Sequence, residues 1–292
     1  MKSTLICVHV MPKEIELFER FMTQYKQALL YLDSTDNVTI KASLNLNPEL
    51  TNWEESELKP DYFIQKFNSL FENITNINEI ILDNSLMGTT QQKRESIQLN
   101  YDQFIFVDAD IAFPEQLLKY QLEASYLLKD KYILIPNIVK LWDYTWDILV
   151  HDDFKNKPYG YYLHHDSINT INQDINYVEV ETAPTIKFGC GMHTLYSKEF
   201  WDFIGIPKSF GGYGPEDTFG MYASLIALKY GHQINEYILK GIYITEDYIN
   251  RIPSFENKIK TYNRKQEFRD KAEAHFHQEL ETFQSKIYNK NI

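Results

Sequence analysis

The feature that most constrains this chain is the alternation of two periodicities along its first 135 residues. Ser3–Val10 is a short β-rich run stopped at Pro12, a residue suited to the first turn of a helix. Leu17, Phe21, Tyr25, Ala28 and Leu32 recur at steps of four, four, three and four, which draws one apolar stripe on a helix. Val38, Ile40, Ala42, Leu44 and Leu46 then alternate, and predict a strand over 38–46 with one face buried. Phe63, Phe67, Leu70 and Phe71 predict a second helix, and Glu79–Leu82 a short strand. Thr89 and Gln92 stand at capping-box spacing and open a helix running through Leu99. Phe104-Ile105-Phe106-Val107 is wholly apolar, as a strand buried on both faces of a parallel sheet must be. Pro114 begins a helix carrying Leu117, Leu118, Leu122 and Tyr126, and Tyr132–Ile135 returns as a strand. Such alternation requires crossover connections, so the fold class is α/β with a mostly parallel, doubly wound sheet.

Farther along, the pattern dissolves between Trp142 and Pro184 into an aromatic and polar loop, whose Trp142, Trp146, Tyr159, Tyr161 and Tyr162 suit either a lid that stacks on a ligand or packing against the sheet. Helices are predicted over Lys198–Ile204 and Pro215–Tyr230. A tail with apolar residues at 276, 280, 283 and 287 predicts an amphipathic helix docked on the rest. The organisation expected is one domain over 1–250 and a helical tail over 251–292. Lys and Arg number 29 against 41 Asp and Glu, a net charge of −12, which excludes a nucleic-acid partner. It leaves room for a small anion held through a cation. No window reaches 18 uncharged apolar residues, so no membrane span is expected. With Cys7 and Cys190 alone, the chain has no disulfide framework, which suits a reducing, cytoplasmic setting.

Two segments carry chemistry. Asp108-Ala109-Asp110 follows the most apolar strand directly, and in open α/β sheets ligands bind beyond the carboxyl ends of strands. Two acids there can aim oxygens at one hard cation, Mg²⁺ or Mn²⁺; the competing reading is an ordinary turn, where Asp is common. The second segment is Gly211-Gly212-Tyr213-Gly214-Pro215-Glu216-Asp217. Its glycines permit close backbone approach or positive φ, and Pro215 suits the first helical position. Glu216 and Asp217 then fall in the first turn, where the helix dipole favours their ionised forms. An ionised carboxylate there suits a general base; the plainer alternative is an acidic helix start.

Taken together and in this order, the segments resemble those of metal-dependent glycosyltransferases of the GT-A fold, of the β-1,4-galactosyltransferase and chondroitin-polymerase type. Phe106–Asp110 is similar to that family's strand ending in Asp-x-Asp. Phe188-Gly189-Cys190-Gly191 with Ser197-Lys198-Glu199-Phe200 is similar to its Phe-Gly-Gly and Ser-Lys-aromatic segment. Gly212–Asp217 is similar to its Gly-Trp-Gly-Gly-Glu-Asp stretch. The resemblance implies a nucleotide-binding half over 1–107 and a metal and acceptor half over 108–250. It implies an inverting transfer of a sugar from a nucleotide-sugar donor, a UDP-sugar, to a glycan hydroxyl, with Mn²⁺ or Mg²⁺ as cofactor. Asp110 would bind the metal, and Asp108 the ribose or the metal through water. Asp217 would be the base and Glu216 the acceptor contact. His9, Val10 and Met11 at the end of the first strand would lie against the nucleotide, with Asp83, Gln92 and Arg94 as further contacts. A solvated helix face is the competing reading of Lys93-Arg94-Glu95. The family's late metal-binding His is missing from Ile242–Asp247; Glu246 or Asp247 is the substitute expected, with His193 and His232 as other candidates. Two further readings share the sheet: a sugar-1-phosphate nucleotidyltransferase, disfavoured by Met11-Pro12 where a Gly-rich loop would stand, and a non-catalytic carbohydrate-binding module.

Overall fold

A computed structural model of the chain describes residues 2–48, 59–109, 111–138, 179–183, 192–246 and 259–290. Strand β1 (Ser3–Val10) leads through a 3-10 turn at Pro12–Glu14 into helix α1 (Ile15–Leu30), followed by β2 (Asn37–Asn45), α2 (Pro60–Ser69) and β3 (Glu79–Ser85). Then come α3 (Thr89–Ser96), β4 (Gln103–Val107), β5 (Ile111–Ala112), α4 (Leu117–Leu127), β6 (Tyr132–Ile138) and β7 (Val180–Thr182). The described residues end with β8 (His193–Ser197), α5 (Lys198–Ile204), α6 (Glu216–Lys229), β9 (Asn235–Glu246) and α7 (Ile259–Lys290).

The sheet is ordered β3-β2-β1-β4-β8-β6-β9-β5, with β7 also on β9. β3, β2, β1, β4, β6 and β9 point one way, and β8, β5 and β7 run against them. Six strands in one direction with helices on both faces are the α/β, doubly wound arrangement that the alternation of periods demands. Val180–Thr182, inside the stretch read as a loop, and Ile111–Ala112 are strands too short to show a period, and His193–Ser197 is a further strand that the periodicity misses.

Each face has its own core. Ile6, Val8 and Val10 point into one, with Phe18, Phe21 and Tyr25 of α1, Phe63 and Phe67 of α2, and Leu118 and Leu122 of α4. Leu5, Cys7, Phe104 and Phe106 point into the other, against Phe200 and Trp201 of α5, Phe219 of α6 and Leu280, Phe283 and Ile287 of α7. The tail is therefore docked through the predicted apolar positions. Phe283 is 5% exposed, with its ring edge-on to those of Phe203 and Phe219. No helix among the described residues is long and apolar enough to cross a membrane.

If α7 is part of this core, Phe283→Ala removes a buried aromatic side chain and lowers unfolding free energy by about 3–5 kcal/mol. Urea denaturation checks this, and a loss below about 1 kcal/mol would place the tail outside the cooperative unit.

Candidate active site

Strand order reverses at β1, with β2 and β3 on one side and β4 on the other. Such a switch point leaves a crevice beyond the strand ends, because the connections depart to opposite faces there. His9 is the last residue but one of β1 and Asp108 follows β4, so two residues singled out from sequence flank that crevice. Both lie on the sheet face away from Val8, Val10 and Val107, whose side chains are in the core with α1. Ser43 and Asp83 continue the row of His9 across β2 and β3. Asp83 stands two strands over, about 10 Å from His9 along the sheet, at the crevice's outer side.

Helix α3 closes this face. The expected capping box does not form: Gly88 is the N-cap and no side chain caps the helix. The side chains are used in long-range contacts instead. Gln92 Oε1 meets His9 Nδ1 at 2.5 Å, and Thr90 reaches the Gly-rich segment. Burial holds the His9 imidazole down to about 3, and the nearby Lys93 ammonium adds to this, so the ring is neutral at ordinary pH. Arg94 donates from Nε to the Ile206 carbonyl and from Nη2 to those of Pro207 and Gly211, at 3.2, 2.8 and 3.2 Å. Its fork staples the loop before the glycines.

Lys93 is 6% exposed, so the solvated-face reading of Lys93-Arg94-Glu95 does not hold for it. Its Nζ lies 2.5 Å from Glu216 Oε1, while Thr90 Oγ1 donates to Glu216 Oε2 at 2.8 Å. Its ammonium also sits 5.3 Å from the Phe106 ring centroid. Burial alone would depress this amine, yet the carboxylates of Glu216, Asp108 and Asp217 outweigh it and hold the ammonium above its ordinary value. One lysine thus answers to acids from two elements, the end of β4 and the start of α6.

Asp217 is half-buried beside Glu216. Burial raises its carboxyl to about 6, and the like charge of Glu216 adds to the rise; Lys93 and the Thr218 N–H, which donates at 2.6 Å, act against it. From α7, Arg269 donates to Glu273 at 2.7 Å and feels both Tyr213 and Asp217. Glu216, expected as an acceptor contact, instead has both oxygens engaged by α3.

The glycines prove to serve close approach within the chain. A Cβ on Gly88 would stand 2.0 Å from the Gly212 carbonyl oxygen, which accepts from the Thr90 N–H at 3.1 Å. A Cβ on Gly214 would meet Ala272 Cβ of α7 at 2.8 Å. Gly211, at φ 63, takes the left-handed conformation.

Other candidates divide. Val10 points into the opposite core, so only its backbone borders the crevice. Met11 is buried, and its N–H donates to Glu14 Oε2 at 3.0 Å. His193 is fully buried beside Tyr25 and Phe113 on the far face, and the His232 ring is tilted against that of Phe203, 5.0 Å between centroids. The His193 backbone pairs with Val107, one residue before Asp108, but its ring turns to the far face, away from the crevice. Asp110, Asp247, Phe188, Gly189, Cys190, Gly191 and the aromatic residues from 142 to 178 lie outside the described residues. Glu246 pairs with Ile111 across β9 and β5, so the backbone of the segment expected to replace the missing His adjoins the residue after Asp110. Among the described residues, no cluster of three or more His, Cys, Asp or Glu is set to hold a metal.

No family model and no curated protein matches the chain. Solved structures that match include GalNAc-T7 with UDP, GalNAc and Mn²⁺, at 11% identity and TM-score 0.42 over 84% of this chain and 44% of that one. S. aureus TarS 1–349 in complex with UDP-GlcNAc matches at 14% identity and TM-score 0.44, over 96% of this chain and 71% of that one. A mycobacterial protein matches at 7% identity and TM-score 0.45, over 87% of this chain and 69% of that one. The chain thus spans less than half the length of the first of these. At such identities and TM-scores the likenesses carry no argument about activity, which has to come from the chain's own residues.

The contact between α3 and the Gly-rich segment leaves no room for a methyl group. Gly88→Ala should cost about 1–3 kcal/mol of stability through overpacking, read by urea denaturation, and an unchanged midpoint would mean the two segments do not touch.

Proposed function

We propose that the chain is an inverting glycosyltransferase that moves a sugar from a nucleoside diphosphate donor, a UDP-sugar, to a carbohydrate hydroxyl, with Mn²⁺ or Mg²⁺. The observation that carries this reading is Asp217: a carboxylate raised to about 6, in the first turn of α6, electrostatically linked through Lys93 to Asp108 at the switch-point crevice. A base with that value is mostly ionised at neutral pH yet still basic enough to take a proton.

The charge balance bears on the cofactor. Three acids, Glu216, Asp108 and Asp217, act on Lys93 beside the crevice, a setting that a diphosphate would share better with a cation than alone. Oxygen donors of this kind suit a hard divalent cation, which Asp108 and Asp110 would hold, with Glu246 or Asp247 as the further carboxylate. When bound, such an ion supplies counter-charge to the departing diphosphate. His9, Gln92 and Asp83 line the side of the crevice on which the nucleoside would lie. Asp217 takes the proton of the acceptor hydroxyl as its oxygen bonds to the anomeric carbon. The bond from that carbon to the diphosphate breaks on the opposite side, and the nucleoside diphosphate leaves with the electron pair.

Release of UDP from a UDP-sugar in the presence of Mn²⁺, without pyrophosphate release from UTP and sugar 1-phosphate, is the expected result. The reverse pattern would assign a nucleotidyltransferase, and neither product a binding module. Because only ionised Asp217 accepts a proton, kcat/KM should fall tenfold per pH unit below an acid limb near pH 6, the value that burial gives this carboxyl. Asp217→Asn should lower kcat by about 10²–10⁴ and leave UDP affinity within about threefold. UDP should raise Tm only with Mn²⁺ present, and Asp110→Ala should abolish that rise; a rise without metal would contradict the cofactor assignment.

A further inference from the structure

Helix α3 touches both parts of the site. Gln92 reaches β1 through His9, on the donor side. One residue later, Lys93 turns to the base side, joined by Thr90 three positions earlier on the same helical face. Lys93 Nζ and Thr90 Oγ1 each take one oxygen of Glu216, at 2.5 and 2.8 Å. Thr90 Oγ1 also accepts from the Gly214 N–H at 2.8 Å, and the Thr90 N–H donates to the Gly212 carbonyl at 3.1 Å. The backbone immediately before Asp217 is therefore held at Gly212, Gly214 and Glu216 from a single helix. Pro215 adds a fixed φ between them.

We infer that Lys93, acting through Glu216 and together with Thr90, is the positioning residue for Asp217, so that the helix closing the donor crevice also sets where the base stands. The inference rests on Asp217 being the base. The pair serves two ends at once. Glu216 is pinned where it cannot turn toward the acceptor, and its charge stays beside Asp217. The charged groups facing Asp217 are then Glu216 from its own helix, Lys93 from α3 with Asp108 beyond it, and Arg269 from α7. Thr218 adds its N–H.

The test compares the full-length protein with Lys93→Met, Lys93→Arg, Thr90→Val and Glu216→Gln. It reads transfer kcat, UDP affinity with Mn²⁺, and the pH profile of kcat/KM. Lys93→Met should lower kcat at least tenfold while UDP affinity stays within threefold, and Lys93→Arg should recover part of that loss. Glu216→Gln removes the like charge beside Asp217 and should move the acid limb to lower pH by half a unit or more. Thr90→Val should lower kcat several-fold with no movement of the limb. Should Lys93→Met fail to fold, the Glu216→Gln and Thr90→Val variants carry the same test. An unmoved limb in Glu216→Gln, together with wild-type kcat in Thr90→Val or Lys93→Met, would overturn the inference while Asp217→Asn stayed inactive. Full activity in Asp217→Asn would instead remove the base assignment beneath it.

Discussion

The buried pair of Lys93 and Glu216 is the interaction on which the rest of the site depends. It joins α3, which follows β3, to α6, within the half of the chain expected to meet the acceptor. A buried ion pair gains little over an apolar pair of the same shape, because desolvation offsets much of the attraction. Removing one partner is different, since the other charge is left buried, at a cost of about 3–5 kcal/mol. Such a pair is therefore better read as a device of specificity than of stability. Here it fixes α3 against the start of α6, beside the close approach of Gly88 to Gly212 in the loop before that helix.

The same lysine sets the electrostatic balance of the crevice. Three acids from β4 and α6 act on it, and it can neutralise only one. Its direct partner is Glu216, with Asp108 at the end of β4 and Asp217 at the start of α6 within its field. A divalent cation on one side and a proton acceptor on the other is the division of labour that sugar transfer asks for. His9 adds a neutral, buried group between the strand end and Gln92.

Much of this was legible in sequence, and the reasons differ by element. The apolar stripe of α1, the alternation of β2 and the wholly apolar β4 follow from periodicity, because burial on one face or two leaves a period that local composition cannot hide. The row of apolar residues from 276 to 287 showed the docking face of α7 in the same way. Asp108 and Asp217 were visible because an acid just past a buried strand, or at a helix start after Pro, stands out from its flanks. Lys93 was not visible. A lysine between Gln92 and Arg94 on a polar helix has the composition of a solvated face, and only the approach of Glu216, 123 residues away, makes it a buried one. The capping box failed because the helix begins one residue early, with Gly88 as its N-cap and Thr89 already inside it, and because Gln92 found its partner in His9 on another element. Arg94 offered phosphate chemistry in sequence, but the nearest acceptors in the fold are three backbone carbonyls.

The account is tested most directly by a crystal structure with UDP and Mn²⁺ bound. It predicts the nucleotide in the crevice between the ends of β1 and β4, near His9 and Asp108, the ion on the Asp108 side, and Glu216 still paired with Lys93. A nucleotide bound elsewhere, or Glu216 swung off Lys93 onto the ligand, would contradict it.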